Sequence, residues 1–393
     1  MKNPTLINPT LIRQRVGLVC DLLEERWTSM DLVANMLERG LRQLHPQPQV
    51  TRLCPPMNRR FSSPQPQESK TAFNADRLLN RFWDYPRWLR ARRHQFDVFH
   101  VVDHSYAQLV HELPAEQTVV TCHDIDTFRS LFEQGQARRS VAFRSMIQRT
   151  LSGLQKASHV TCDSEATKQE VLTRGLLPAE RVSVVPNGVH PSCSAEADPL
   201  ADREAARLLG PTDGSEILHV GSTIPRKRMD VLLATFAGIM REFPTARLIQ
   251  VGGMLTAEQG AQAQRLGIED RIVVTPHLRQ ELVSSIYRRA SVVLLPSERE
   301  GFGLPLVEAM ACGAVVLASN LPVLREVGGE AASYCTVADV PAWTQKAIDL
   351  LYQSRDGPEQ WQKRRTAGIA RASQFTWQNY ALRMARIYRQ IAA

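Results

Sequence analysis

Short apolar runs recur along the chain, each closed by polar or turn-forming residues and most followed by a stretch with helical spacing. Runs at 15–20, 50–53, 97–102, 117–122, 159–162 and 181–185 read as strands of a first set. Runs at 217–221, 246–251, 271–275, 292–295 and 314–317 read as a second set. Continuous rather than alternating hydrophobicity predicts parallel strands buried on both faces. Between them, residues 28–44 place Met30, Val33, Leu37, Leu41 and Leu44 on one helical face. Helices are also expected from Ser164 through Val171, from Met229, over about 305–312, and at 342–353, 358–372 and 377–391. Such strand–helix alternation is the pattern of a doubly wound α/β sheet. At 393 residues the chain exceeds one ordinary core, so two domains are expected. Residues 190–214 mix turn formers with a short helix, and the linker is placed at their start.

Around the strand at 292–295 the pattern suggests chemistry. Pro296 closes the strand, Ser297-Glu298-Arg299-Glu300 forms a polar loop, and Gly301-Phe302-Gly303 leads to Pro305, suited to a first helical turn. Gly313 marks the helix end. A parallel sheet presents ligands at the carboxyl ends of its strands, and a helix start offers free N–H groups to phosphate. Glu300 and Glu308, with seven residues between them, can take hydroxyls of a sugar and a ribose. The bland alternative is a strand–loop–helix with a solvated acidic loop. Against it stands the setting of the two glutamates, around Gly-Phe-Gly-Leu-Pro and before Ala-Met-Ala-Cys-Gly.

A second candidate follows the strand at 217–221, where Ser222 to Arg228 form a cationic loop before a helix. Arg226 by bidentate contact and Lys227 as a point charge can clamp a diphosphate there, unless the loop is merely solvated. In the first half, strands end in Asp103-His104-Ser105, in His123-Asp124 and in Asp163-Ser164-Glu165, the last a good N-cap. Asp124-Ile125-Asp126 fits a D-x-D metal motif, too weak a signal to accept.

The segment Leu294–Val327 resembles the donor-site signature of the family 4 retaining glycosyltransferases, enzymes of the GT-B fold, including bacterial mannosyl and glucosyl transferases. The resemblance implies an α/β architecture of two doubly wound Rossmann-like domains facing a central cleft. Residues 1–190 would bind acceptor, residues 191–376 would bind the nucleotide sugar, and the helix in 377–393 would return to the first domain. It implies a hexosyltransferase moving sugar from a nucleotide diphosphate sugar with retention, without metal or other cofactor. Lys227 matches the family's phosphate-binding lysine; Ser222 stands where an arginine is common, and Arg226 compensates. Glu300 would hold sugar hydroxyls and Glu308 the ribose. Gly301, Phe302, Gly303 and Leu304 would face the phosphates, and Pro276 and His277 the base. His123 would reach the transferred sugar from the opposite domain. Gly17, in the strand before an acidic and leucine-rich loop at 21–26, is also carried over as donor-binding. Two alternatives within this reading are a catalytically inactive nucleotide-sugar-binding scaffold and a GT-B epimerase. A dinucleotide-dependent oxidoreductase is disfavoured because no G-x-G-x-x-G follows Val16 or Val220.

Charge adds a partner. The net charge is +8, and residues 51–100 hold ten basic and four acidic side chains. Between 77 and 93, six arginines alternate with Phe82, Trp83, Tyr85 and Trp88, and Pro86 is expected to split the stretch into two helices. Such a face suits an anionic membrane surface, or a solvated helix with its aromatics packed inward. Nucleic acid is set aside for want of a binding motif. A glycan or lipid-linked acceptor fits the membrane reading. Seven scattered cysteines argue for a reducing compartment, and the start of the chain lacks a signal-peptide pattern. The expectation is a cytoplasmic protein, peripheral on the inner face of the membrane. Residues 55–68, rich in Pro, Ser and Gln, read as a mobile loop.

Overall fold

The computed structural model describes residues 14–63, 69–132, 140–211 and 214–392. The expectation about the chain start, and part of the 55–68 loop, lie outside these residues. The chain divides into two compact units, residues 1–186 with 377–393, and residues 187–376.

The first unit is built on β1 (Arg15–Val19), β2 (Gln49–Leu53), β3 (Val98–Val101), β4 (Thr118–Cys122), β5 (His159–Cys162) and β6 (Val182–Val184). All pair in parallel in the order β2-β1-β3-β4-β5-β6. The second unit has β7 (Glu216–Val220), β8 (Arg247–Val251), β9 (Ile272–Thr275), β10 (Val292–Leu295), β11 (Val316–Ser319) and β12 (Ser333–Cys335). Its parallel order is β12-β11-β10-β7-β8-β9. In each sheet the strand order reverses once, between β1 and β3 and between β7 and β10. Ligands of open α/β sheets bind outside the carboxyl ends at such reversals.

Each core sits on both faces of its sheet. On one face of the first sheet, Val33, Leu37 and Leu41 of helix Thr28–Arg42 pack with Trp377, Tyr380 and Met384 of helix Trp377–Ala392. The approach is close enough that a Cβ on Gly40 would come within 2.6 Å of the Ala381 Cβ. In the second unit, helix Met229–Glu242 covers β7 and β8 with Leu232, Leu233 and Phe236.

Two local expectations are corrected, and one strand was not foreseen. Pro86 does not split its segment: helix Lys70–Leu79 continues through a π-helical turn, Asn80–Asp84, into helix Tyr85–Arg90. The Tyr85 N–H reaches back to the Asn80 carbonyl, and the wider turn accommodates the proline ring that an α-turn would exclude. The strand expected from 314 begins at Val316, because Gly313 takes a left-handed conformation (φ +75°) and Ala314 N–H still bonds the Ala309 carbonyl at 2.9 Å. Strand β12 was not expected: Ser333, Tyr334 and Cys335 lack the valines that mark the equally short β6. Among the described residues no helix is long and apolar enough to cross a membrane.

Candidate active site

The reversal between β7 and β10 brings two loops together. After β7, Gly221 is held by its carbonyl, which accepts from Gln250 Nε2 at 2.8 Å. The turn Pro225–Lys227 and a left-handed Arg228 (φ 51°) then start helix Met229–Glu242. After β10 the loop runs to helix Leu304–Ala311. Glu298 N–H donates to the Arg226 carbonyl at 2.8 Å and stitches the two loops.

The side chains converge on Glu300. It accepts from Lys227 Nζ at 2.5 Å, from Arg226 Nη1 at 3.2 Å and from Ser297 Oγ at 2.7 Å. Arg226 Nη1 also donates to the Arg299 carbonyl at 3.0 Å. Burial would raise the Glu300 pKa; the charges of Lys227 and Arg226 overcome it and bring the carboxyl to about 2. The result is a cationic pair fixed around one carboxylate.

Gly303 caps the neighbouring helix with φ +92°, a conformation that favours glycine, and a Cβ there would lie 2.6 Å from Leu324 Cδ2, so that side chain would have to shift. No side chain caps this helix start. One turn in, Glu308 is buried and accepts from Gln280 Nε2 at 2.8 Å; burial drives its pKa well above the usual carboxyl range. Phe302 is buried edge-on against Phe375, ring centres 5.6 Å apart, and is a packing residue. Gly301 precedes it in the loop, Leu304 opens the helix, and Ser222 directly follows Gly221. Pro276 and His277 stand exposed past β9, the edge strand two places from β7.

The first unit gathers a different set. Asp21, Asp103, His123 and Asp163 follow β1, β3, β4 and β5, four adjacent strands, at their carboxyl ends. His123 is buried, with Nδ1 2.7 Å from Asp163 Oδ2 and Nε2 2.8 Å from the Val102 carbonyl. Two acceptors require both ring nitrogens to carry protons. Burial would lower the pKa, but the Asp163 charge and hydrogen bond, with the Asp103 charge, raise it to about 10. His123 is therefore an imidazolium with both N–H groups committed. Gly17 does not join this set: it pairs inside β1 with Thr51 and Phe99, beneath Leu53 and Phe96. Asp124 and Asp126 turn to local partners, the Asp126 N–H at 2.9 Å and Arg129 Nε at 2.7 Å respectively.

Similarity to known proteins agrees with this geometry. A profile described as "Glycosyltransferase Family 4" matches residues 33–192, and one described as "Glycosyl transferases group 1" matches residues 202–367. The chain belongs to the family 4 glycosyltransferases. Its fold, two parallel six-stranded sheets flanked by helices, is the GT-B fold. This family 4 chain is 33% identical over 220 residues to a D-inositol 3-phosphate glycosyltransferase of Segniliparus rotundus, covering 53% of the chain and 47% of that protein. It is 27% identical to the O-antigen chain mannosyltransferase B of Escherichia coli over 77% of the chain and 78% of that protein. HepE from Anabaena, solved with UDP and glucose, superposes with a TM-score of 0.72 at 18% identity, over 96% of this chain and 100% of that one. The chain spans about half the length of several curated relatives it matches.

From the sequence, Ser297 and Asp103 stand out only as loop residues, and Gln280 and Asp21 have no expected role. Ser297 lies in the signature loop and was legible in principle. The others are joined to the sites only by strand order and helix packing.

Proposed function

We propose that this chain transfers a hexose from a nucleoside diphosphate sugar to a hydroxyl of a glycan or lipid-linked acceptor, with retention at the anomeric carbon. The observation that carries the reading is the convergence of Arg226, Lys227 and Glu300 at the β7/β10 reversal. A diphosphate leaving group gains negative charge as the glycosidic bond breaks, and cations already fixed in place stabilise it without reorganisation. Lys227 and Arg226 meet that charge, with the uncapped helix start at Gly303 and Leu304 supplying N–H groups. Glu300 orients both cations and takes sugar hydroxyls. Glu308 takes the ribose, positioned by Gln280. His123 supplies a fixed positive charge at the carboxyl end of β4, within the first sheet.

The lipid-linked acceptor is supported by the surface of helix Tyr85–Arg90 and the turn before it. Trp83 is exposed with Arg87 stacked 3.1 Å from its ring centre, and Arg90 and Arg93 are also exposed. An aromatic beside solvent-facing arginines suits an anionic bilayer surface, and this supports an enzyme that works on a membrane face.

The test is turnover of nucleoside diphosphate hexoses with octyl hexoside acceptors, with product configuration read by proton NMR. The expected product keeps the donor's anomeric configuration and is lost in Glu300→Gln. Donor binding with neither transfer nor hydrolysis would favour the scaffold, and an isomerised hexose the epimerase.

A further inference from the structure

Strand β7 buries a histidine that the donor cluster leaves out. His219 is fully buried, and its register partner on β8 is Gln250. His219 Nδ1 lies 2.6 Å from Gln250 Oε1. The Gln250 amide is fixed in orientation, because its Nε2 donates to the Gly221 carbonyl at 2.8 Å and lies 3.4 Å from the Val251 carbonyl. Carbonyl oxygens only accept, so the side facing them must be the NH2 and the side facing His219 the oxygen. Nδ1 therefore carries a proton. Burial pushes the His219 pKa down to about 4, and the Lys227 charge works in the same direction, so the ring is neutral. A neutral ring with its proton on Nδ1 has a bare lone pair on Nε2. That atom is buried and meets no donor among the described residues. Burying an unfilled acceptor is costly, and such an atom calls for a partner.

The lone pair borders the diphosphate site. A Cβ built on Gly221 would lie 3.8 Å from His219 Nε2 and 3.6 Å from Lys227 Cε, so imidazole and lysine line the same space at the start of the cationic loop. Phosphate oxygens cannot fill Nε2, since they too are acceptors. An ammonium N–H can, in a charge-assisted bond. Lys227 has three N–H groups, and its Nζ is drawn to Glu300 at 2.5 Å. Any movement of Nζ away from Glu300 brings a donor within reach of the histidine.

We propose that His219 is a positioning residue of the donor site: its Nε2 accepts an N–H of Lys227 when sugar hydroxyls engage Glu300, and so holds the ammonium against the diphosphate. The proposal rests on the donor-site reading given above. Gln250 fixes the tautomer and burial keeps the ring neutral, so Nε2 stays an acceptor beside the cations. A protonated ring there would offer Lys227 a second positive charge and no lone pair.

The test is nitrogen-15 NMR of the full-length protein labelled at histidine. The His219 signals are assigned by their loss in His219→Gln, or in His219→Phe should the first fail to fold. At neutral pH the free protein should show a proton on Nδ1 and a bare Nε2. UDP-, GDP- and ADP-hexoses are then added in turn, with binding followed separately by calorimetry. The nucleotide sugar that binds should move the Nε2 signal toward the hydrogen-bonded position and leave Nδ1 in place. Lys227→Met, at saturating nucleotide sugar, should keep the tautomer and abolish the movement. A proton on Nε2 in the free protein, a bound nucleotide sugar that leaves Nε2 unmoved, or movement that persists in Lys227→Met would overturn the proposal and leave the donor site standing. Failure of all three nucleotide sugars to bind the wild type would overturn the donor-site reading itself, and the role of His219 with it.

Discussion

Lys227 Nζ lies 2.5 Å from Glu300 Oε1, and both side chains are about nine-tenths shielded from solvent. Removing one partner of such a pair leaves the other charged and buried, at a cost of about 3–5 kcal/mol, whereas removing both costs less. Lys227→Met should therefore destabilise the chain more than Lys227→Met/Glu300→Gln. Urea denaturation of the two singles and the double should give a coupling of about 1 kcal/mol or more. Additive losses would show that the contact carries no energy.

His123 gives stability a pH dependence of known sign. Its pKa is raised in the folded state, from 6.5 to about 10, so its contribution is complete below 6.5 and fades as pH rises toward 10. Glu300 works oppositely: its pKa falls from 4.5 to about 2, so its contribution is present above 4.5 and is lost as pH drops toward 2. Denaturation midpoints should fall between about pH 7 and 10 in wild type, and this slope should flatten in His123→Gln.

Glu308 trades stability for binding. Its buried carboxyl accepts one bond from Gln280, and burial opposes its ionisation. Glu308→Gln keeps an oxygen for that bond and removes a carboxyl that is costly to ionise where it is buried, so the free protein should melt at the same temperature or higher. Nucleoside diphosphate affinity should drop about tenfold, or ~1.4 kcal/mol, by calorimetry. A lower melting temperature with unchanged affinity would assign Glu308 to the fold alone.

How much of this was legible in sequence follows from what each feature depends on. The strands could be read because buried parallel strands leave unbroken apolar runs, and the donor loops because Lys227, Glu300 and Gly303 sit within short local motifs. Arg81 and Tyr85 could not be separated from the surface arginines and aromatics around them. A π-helical turn rotates Tyr85 inward to bond the Cys20 carbonyl at 2.9 Å, while Trp83 stays outside. The placement of Asp21 and Asp103 at the ends of neighbouring strands was hidden for another reason. The two residues are far apart in the chain, and only the placement of β3 beside β1 joins them.

The exposed part of the 77–93 segment should bind anionic membranes. Trp83→Ala with Arg87→Ser and Arg93→Ser removes a ring and two charges without touching Arg81 or Tyr85. Sedimentation with phosphatidylglycerol vesicles should show binding weakened about tenfold or more, in line with ~1 kcal/mol per basic residue at such surfaces. Equal sedimentation of wild type and variant would remove the membrane from the account.

The central claim is that Lys227, Arg226 and Glu300 form a site for the diphosphate of a nucleotide sugar. The most direct measurement is calorimetric titration of the full chain with UDP-, GDP- and ADP-hexoses in EDTA, repeated with Lys227→Met. Binding of one nucleotide class, weakened at least tenfold by the substitution, is the predicted result. Binding that is indifferent to Lys227, or no binding of any of the three, would contradict it.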